Sequence, residues 1–215
     1  MGGELPKQFL SLGGRRVVEW SVDAMERSLL IGAIEIVVNP DYRDLMEKIA
    51  ASNGWRKVER IIDGGRERNE SVRNAVKALG GENVNVIVHD AARPLISQAV
   101  IERVCNALLQ HGAVGVAIPM VDTVWKVESD VVTGAPDRKE LWRAQTPQGF
   151  RLDVLREAYL AAAADPNFEG ATDDCGLVRH YVKGIDIFVV KGEQRNLKLT
   201  YPTDLDLLER LIDSE

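Results

Sequence analysis

The chain has 215 residues, 45% hydrophobic and 28% charged, the balance of a globular protein with a sizeable core rather than of a disordered segment. Its formal net charge of −6 leaves no basic footprint, which argues against nucleic-acid and anionic-membrane partners. Two distant cysteines without a CxxC pair, no apolar run of spanning length and no signal-peptide core in Met1–Trp20 predict a reduced, cytoplasmic protein.

Met1–Leu10 reads as a loop in which Gly2, Gly3 and Pro6 set a tight path and Lys7 supplies a point charge. A frayed end is the plainer alternative for Lys7 taken alone. After a Gly13-Gly14 turn, Val17, Val18, Trp20, Val22 and Met25 predict an amphipathic helix from Arg15 to about Ser28. Residues 33–38 form the next strand, and Asn39-Pro40-Asp41 starts a helix running towards Ala51.

Val58–Ile62 is a further strand that exits into Gly64-Gly65, with Asn69 capping the next helix and Ser71 in its first turn. A glycine pair followed by helix N-terminal amides can cradle phosphate or nucleotide, although most such pairs only satisfy a turn. Val84–Val88 then reads as a buried parallel strand that ends in His89-Asp90-Ala91-Ala92-Arg93-Pro94. Ligands of open α/β sheets bind beyond the strands' carboxyl ends. There Asp90 can hold Mg²⁺ against phosphate oxygens and Arg93 can grip an anion through two parallel hydrogen bonds. An Asp90–Arg93 surface pair is the ordinary alternative.

A helix over Val100–Leu109 and a buried strand over Ala113–Pro119 follow. The pattern then changes: residues 122–127 alternate, 130–132 stay extended, Thr133–Pro136 turns, and 137–142 leads back. This is an inserted two-stranded arm at about 121–144, and Trp125 and Trp142 give it the apolar surface of a partner contact. Gln145–Phe150 returns to the core, a helix carries Leu152, Leu155 and Tyr159, and Thr172-Asp173-Asp174 opens another with acids at its positive end. Asp186–Val190 is a strand, Lys198 and Thr200 share one face of an alternating segment, and Thr203 with Asp206 resembles a capping box for the last helix. Alternating strands and helices predict one α/β domain over 1–215, a doubly wound, mostly parallel sheet interrupted by the arm. Lys7, Arg93, Arg138 and Lys198 stand out as candidate site cations beside Asp90 and the glycine loop, a set suited to phosphoryl or nucleotidyl transfer.

The ordered motifs Pro-Lys-Gln-Phe-Leu (6–10), Gly-Gly-x-x-Arg-x-x-Ser-Val (64–72), His-Asp-Ala-Ala-Arg-Pro (89–94), Asp-Thr (122–123), Asp-Arg-x-x-Leu-Trp-x-x-Gln-Thr-Pro-Gln-x-Phe (137–150), Thr-Asp-Asp (172–174) and Asn-x-Lys-x-Thr (196–200) resemble 2-C-methyl-D-erythritol 4-phosphate cytidylyltransferases. The resemblance implies a Rossmann-like enzyme of non-mevalonate isoprenoid synthesis that joins CTP to methylerythritol phosphate with Mg²⁺. It implies that Lys7 and Lys198 neutralise the transition state and that Asp90 organises the metal. Gly2, Lys7, Gly64, Gly65, Ser71, Asp90 and Ala91 would then hold CTP. Arg93, Thr123, Arg138, Thr146, Thr172, Asp173, Lys198 and Thr200 would contact or frame the second substrate. The arm would interlock a homodimer and lend Thr123 and Arg138 to the neighbouring site.

One departure stands out. Such enzymes begin with a buried strand and an Ala-Ala-Gly-x-Gly-x-Arg-Met-Gly loop, of which Met1-Gly2 matches only the end. A start assigned at an internal methionine would account for this; if the chain is truly this short, loss of a strand that would be central predicts two bared strand edges, poor stability and severely reduced activity. Ribitol-5-phosphate cytidylyltransferase shares the lysine loop and the aspartate segment, but the Asp-Arg-x-x-Leu-Trp stretch, Thr123 and Lys126 favour methylerythritol phosphate. A CTP-binding protein disabled by loss of the loop is the non-enzymatic alternative, and a purely structural dimerisation module leaves the site cations unexplained.

Overall fold

A computed structural model of the chain describes residues 5–81 and 84–213, so Gly2 lies outside the described residues. Pro6 leads into a 3₁₀ turn, Lys7–Phe9, pinned by the buried Phe9 ring. A two-stranded hairpin follows, β1 (Ser11–Leu12) and β2 (Arg15–Arg16), and leads into α1 (Val17–Arg27). Then come β3 (Ile34–Val38), α2 (Arg43–Asn53), β4 (Val58–Asp63), α3 (Arg68–Ala78) and β5 (Asn85–Val88). The second half contains α4 (Gln98–Leu108), β6 (Ala113–Pro119), β7 (Lys126–Glu128), β8 (Val131–Gly134), β9 (Trp142–Arg151), α5 (Leu152–Ala164), α6 (Asp174–Tyr181), β10 (Ile187–Lys191) and α7 (Thr203–Asp213).

The fold is the expected α/β class. β3 and β4 pair in parallel, as do β10 and β6, and β9 runs antiparallel between β6 and β5. Helices cover both faces, as a largely parallel sheet requires. Val86 and Val88 of β5 face α3, α5 and α6, whereas the intervening Ile87 faces α1 and α4. β9 is the strand that the alternation of elements did not announce. Its Gly149 passes directly under α4, where a Cβ would come within 2.7 Å of Leu108 Cδ1 and 2.9 Å of Val104 Cγ1.

Three local expectations shift. α3 begins at Arg68 with Glu67 as the flanking residue, so Asn69 lies inside the first turn and accepts from Glu70 N at 2.9 Å. The arm turns at Ser129 and Asp130, both with positive φ (49° and 64°), rather than at Thr133–Pro136, because that pair lets β7 and β8 close tightly. At the start of α7 the carboxylate that reaches back is that of Asp204, which accepts from Thr200 N at 2.8 Å and Tyr201 N at 2.7 Å.

β5 is not the fully buried, parallel-paired strand that its composition predicts: its only ladder among the described residues is antiparallel, to β9. Among those residues β3 likewise pairs only with β4. The sheet is therefore open between β3 and β5. Both strands line a cavity of about 730 Å³, closed above and below by α1 residues such as Val18 and Val22 and α3 residues such as Val72 and Val76.

Candidate active site

The carboxyl ends of β4 and β5 meet the segment after β10 at one charged cluster. The turn after β5 is fixed by its backbone, with Arg93 N donating to Asp90 O at 2.9 Å. Beneath it the buried Thr146 hydroxyl accepts from Asp90 N at 3.0 Å and lies 3.1 Å from His89 Nδ1. His89 Nε2 is 3.1 Å from Arg93 O. A carbonyl can only accept, so Nε2 carries the proton and Nδ1 accepts from Thr146. Burial pushes the His89 pKa down to about 4, which keeps this brace neutral.

Asp90 is half-buried, and each of its oxygens has its own cation. Arg68 Nε donates to Oδ1 at 3.0 Å and Lys198 Nζ donates to Oδ2 at 2.7 Å. Burial alone would raise the Asp90 pKa, but Arg68 and Lys198 outweigh it and hold the carboxyl far below the usual range. Arg68 reaches further, donating from Nη2 to Asp174 Oδ2 at 2.8 Å. The Asp174 side chain is wholly buried, and Tyr159 donates to its other oxygen at 2.6 Å. Lys7 borders the same field. Its pKa is lowered, first by burial and then by Lys198, with Asp90 opposing.

The glycine loop follows from close approach. A Cβ on Gly65 would lie 2.2 Å from Glu70 Cβ, and one on Gly64 would lie 2.9 Å from Ser71 Oγ. Ser71 Oγ accepts from Gly65 N at 3.1 Å and donates to Glu67 O at 3.1 Å, while Glu70 Oε2 accepts from Arg66 N at 2.7 Å. Side chains thus occupy the loop amides in this state. Ala91 faces α1, and its carbonyl accepts from Ser21 Oγ at 2.9 Å.

The remaining predicted residues take four different places. Arg93 is half-buried, its Nη1 donates to Asn196 O at 2.8 Å, and burial lowers its pKa. Asp173 caps α6 by accepting from Gly176 N at 2.7 Å, and its second oxygen accepts from Gln148 at 2.8 Å. Thr172 and Thr200 are exposed nearby. Thr123 and Arg138 stand on the exposed arm, where Arg138 Nη1 donates to Val121 O at 3.1 Å.

Arg68, Asp174 and Tyr159 were not singled out as site residues by sequence reasoning. Arg68 is a fixed position of the Gly-Gly-x-x-Arg motif, and that motif was the available signal. Among the described residues no group of three or more His, Cys, Asp or Glu side chains could hold a metal. A lone Asp90 suits Mg²⁺, which keeps water and takes one or two carboxylates together with substrate phosphates. Among the described residues no helix is long and apolar enough to cross a membrane.

Comparison with known proteins matches this frame. The family model of IspD, 2-C-methyl-D-erythritol 4-phosphate cytidylyltransferase, aligns with residues 1–214. The protein of that name from Thermobifida fusca is 42% identical over 99% of this chain and 88% of its own. The Geobacillus kaustophilus protein of the same name is 38% identical over 100% and 92%. Among solved structures, a 4-diphosphocytidyl-2C-methyl-D-erythritol synthase from Anaerococcus prevotii superposes with a TM-score of 0.88 at 28% identity, covering 99% of this chain and 92% of that one. The 2-C-methyl-D-erythritol 4-phosphate cytidylyltransferase of Thermus thermophilus gives 0.80 at 31%, covering 97% and 94%. The chain belongs to the 2-C-methyl-D-erythritol 4-phosphate cytidylyltransferase family.

Proposed function

We propose that the protein converts CTP and 2-C-methyl-D-erythritol 4-phosphate into 4-diphosphocytidyl-2-C-methyl-D-erythritol and pyrophosphate, a step of isoprenoid synthesis. The single observation that carries the site assignment is Asp90 at a strand exit, held between Arg68 and Lys198 with Lys7 in the same field. A phosphate oxygen of methylerythritol phosphate attacks the α-phosphorus of CTP in line. The new P–O bond forms as the bond to the β-phosphate bridging oxygen breaks, and pyrophosphate takes the electron pair. Lys7 and Lys198 offset the charge that gathers on the α-phosphate oxygens, a preorganised contribution that needs no reorientation during reaction. Asp90 would hold Mg²⁺ together with substrate phosphates, and the ion would supply Lewis-acid charge neutralisation there. Gly64 and Gly65 let the backbone approach the nucleotide, and Ser71 and Ala91 complete that side.

Arg93, Thr146, Thr172, Asp173 and Thr200 frame the second substrate in this reading, with Thr123 and Arg138 supplied by the arm of a second copy. Exposed Trp125, Val127, Val131 and Trp142 support a homodimer. The matched family and relatives are named for methylerythritol phosphate, so the ribitol phosphate and inactive CTP-binding readings are not favoured. The test is Mg²⁺-dependent pyrophosphate release from CTP with either alcohol phosphate. Release with methylerythritol phosphate that is lost in Asp90→Asn and Lys198→Met supports the assignment. Release with ribitol phosphate instead, or CTP binding without turnover, overturns it.

A further inference from the structure

We propose that Arg68, anchored by the buried pair of Asp174 and Tyr159, is a positioning residue of the reaction: it fixes the plane in which the Asp90 carboxylate meets the substrates. The inference rests on the reading of this cluster as the site of nucleotidyl transfer.

Aiming a carboxylate takes two restraints, one on the backbone and one on the side chain. The backbone of Asp90 is set, with its N donating to Thr146 Oγ1 at 3.0 Å and its O accepting from Arg93 N at 2.9 Å. The last torsion of an aspartate is broad and roughly two-fold, so the carboxylate turns unless a partner holds it. Lys198 is a poor holder. It reaches Oδ2 at 2.7 Å from an irregular segment, its side chain is 38% exposed, and an ammonium is a point charge that follows an oxygen without directing it. Arg68 meets Oδ1 at 3.0 Å through the Nε of a planar, rigid group.

That group is itself held from the far side. Arg68 Nη2 donates to Asp174 Oδ2 at 2.8 Å, and the Asp174 side chain is wholly buried. Tyr159 donates to Asp174 Oδ1 at 2.6 Å, and Asp174 N donates at 3.0 Å to Oε1 of Gln148, a buried residue of β9. Stability alone does not explain this arrangement. Replacing a buried ion pair by well-packed apolar residues is often neutral or stabilising. Arg68 is also the first residue of α3, the helix end at which the dipole disfavours a cation. What the arrangement supplies is an arginine that cannot turn, set between a buried anchor and the Asp90 carboxylate.

The test is steady-state kinetics of Mg²⁺-dependent pyrophosphate release by the 215-residue protein from CTP and methylerythritol phosphate. Turnover is counted per CTP-binding molecule, from calorimetric stoichiometry, so a variant that is merely less stable keeps the wild-type kcat. Arg68→Lys keeps the charge but loses the planar fork, and its kcat should fall on the order of 10–100-fold with the KM for CTP nearly unchanged. Asp174→Asn should show the same split to a smaller degree, and Tyr159→Phe takes its place if the asparagine variant folds poorly. Arg68→Lys combined with Asp174→Asn should be no slower than Arg68→Lys alone, because the two act along one path. Wild-type kcat in Arg68→Lys or in the folded anchor variant overturns the inference, as do losses that multiply in the double variant. Asp90→Asn separates this inference from the reading beneath it. If Asp90→Asn loses turnover while Arg68→Lys keeps it, only the positioning role falls. Full turnover in Asp90→Asn, or none in the wild type, overturns the reading of the site and this inference with it.

Discussion

Arg68 Nη2 stands 2.8 Å from Asp174 Oδ2, joining an α3 residue at the site to a wholly buried carboxylate of α6. Removing the guanidinium leaves Asp174 charged without its cation. Breaking such a buried pair costs about 3–5 kcal/mol, whereas replacing both partners is far milder. Arg68→Met should therefore lower the urea midpoint sharply, and Arg68→Met with Asp174→Asn should recover part of the loss. A double variant no more stable than the single would contradict this.

Acid should weaken the fold through His89. Its folded pKa of about 4 lies below its unfolded value of about 6.5, so folding favours the neutral ring. That contribution is fully present above the unfolded pKa and is lost as pH falls from about 6.5 towards 4. Asp90, whose pKa is depressed, loses its contribution only at still lower pH, below its unfolded value. Urea midpoints measured across pH 7 to 4 should decline in the wild type. In His89→Gln the same limb should be flatter, although the variant starts lower at pH 7. Parallel limbs would rule out His89 as the cause.

Gly65→Ala should damage nucleotide binding more than it damages the fold. The new Cβ would meet Glu70 Cβ at 2.2 Å, so the loop must move off α3. Overpacking of this kind costs about 1–3 kcal/mol. The expected result is a raised KM for CTP with the KM for methylerythritol phosphate nearly unchanged, and steady-state kinetics with each substrate varied in turn will show it.

The arm offers a clean test of assembly. Trp125 is 62% exposed and Val131 62% exposed on a two-stranded hairpin with little support of its own. Trp125→Ser combined with Val131→Lys should shift sedimentation from dimer to monomer. In the proposed dimer, turnover should fall with it, because Thr123 and Arg138 would no longer reach the neighbouring site. A wild-type protein that sediments as a monomer at assay concentration would remove the shared site.

The opening between β3 and β5 should govern stability. A dry, empty void of 730 Å³ would cost on the order of 17 kcal/mol at about 24 cal/mol per Å³, more than the roughly 5–15 kcal/mol of a whole domain. The space must therefore be wet or filled. The 215-residue protein should brighten 8-anilinonaphthalene-1-sulfonate and melt broadly at low temperature. A dark dye together with a sharp calorimetric transition above about 60 °C would refute this, being the signature of a closed, cooperative core.

The amino-acid sequence by itself determined the alternation of elements, the helix faces and the strand over Ala113–Pro119, because burial on both sides writes a continuous apolar run. It also placed Lys7, Asp90, Arg93 and Lys198 in motifs whose order identifies the family. β9 escaped because its inward positions are Gln145, Thr146 and Gln148, polar side chains buried only because partners from distant segments satisfy them. The clamp of Arg68 between Asp90 and Asp174 was equally hidden, since its partners lie 22 and 106 residues away in the chain. Periodicity reports which face a residue turns to the core. Only the tertiary structure decides which distant charge it meets there, because that depends on how strands are ordered, and strand order leaves no local trace.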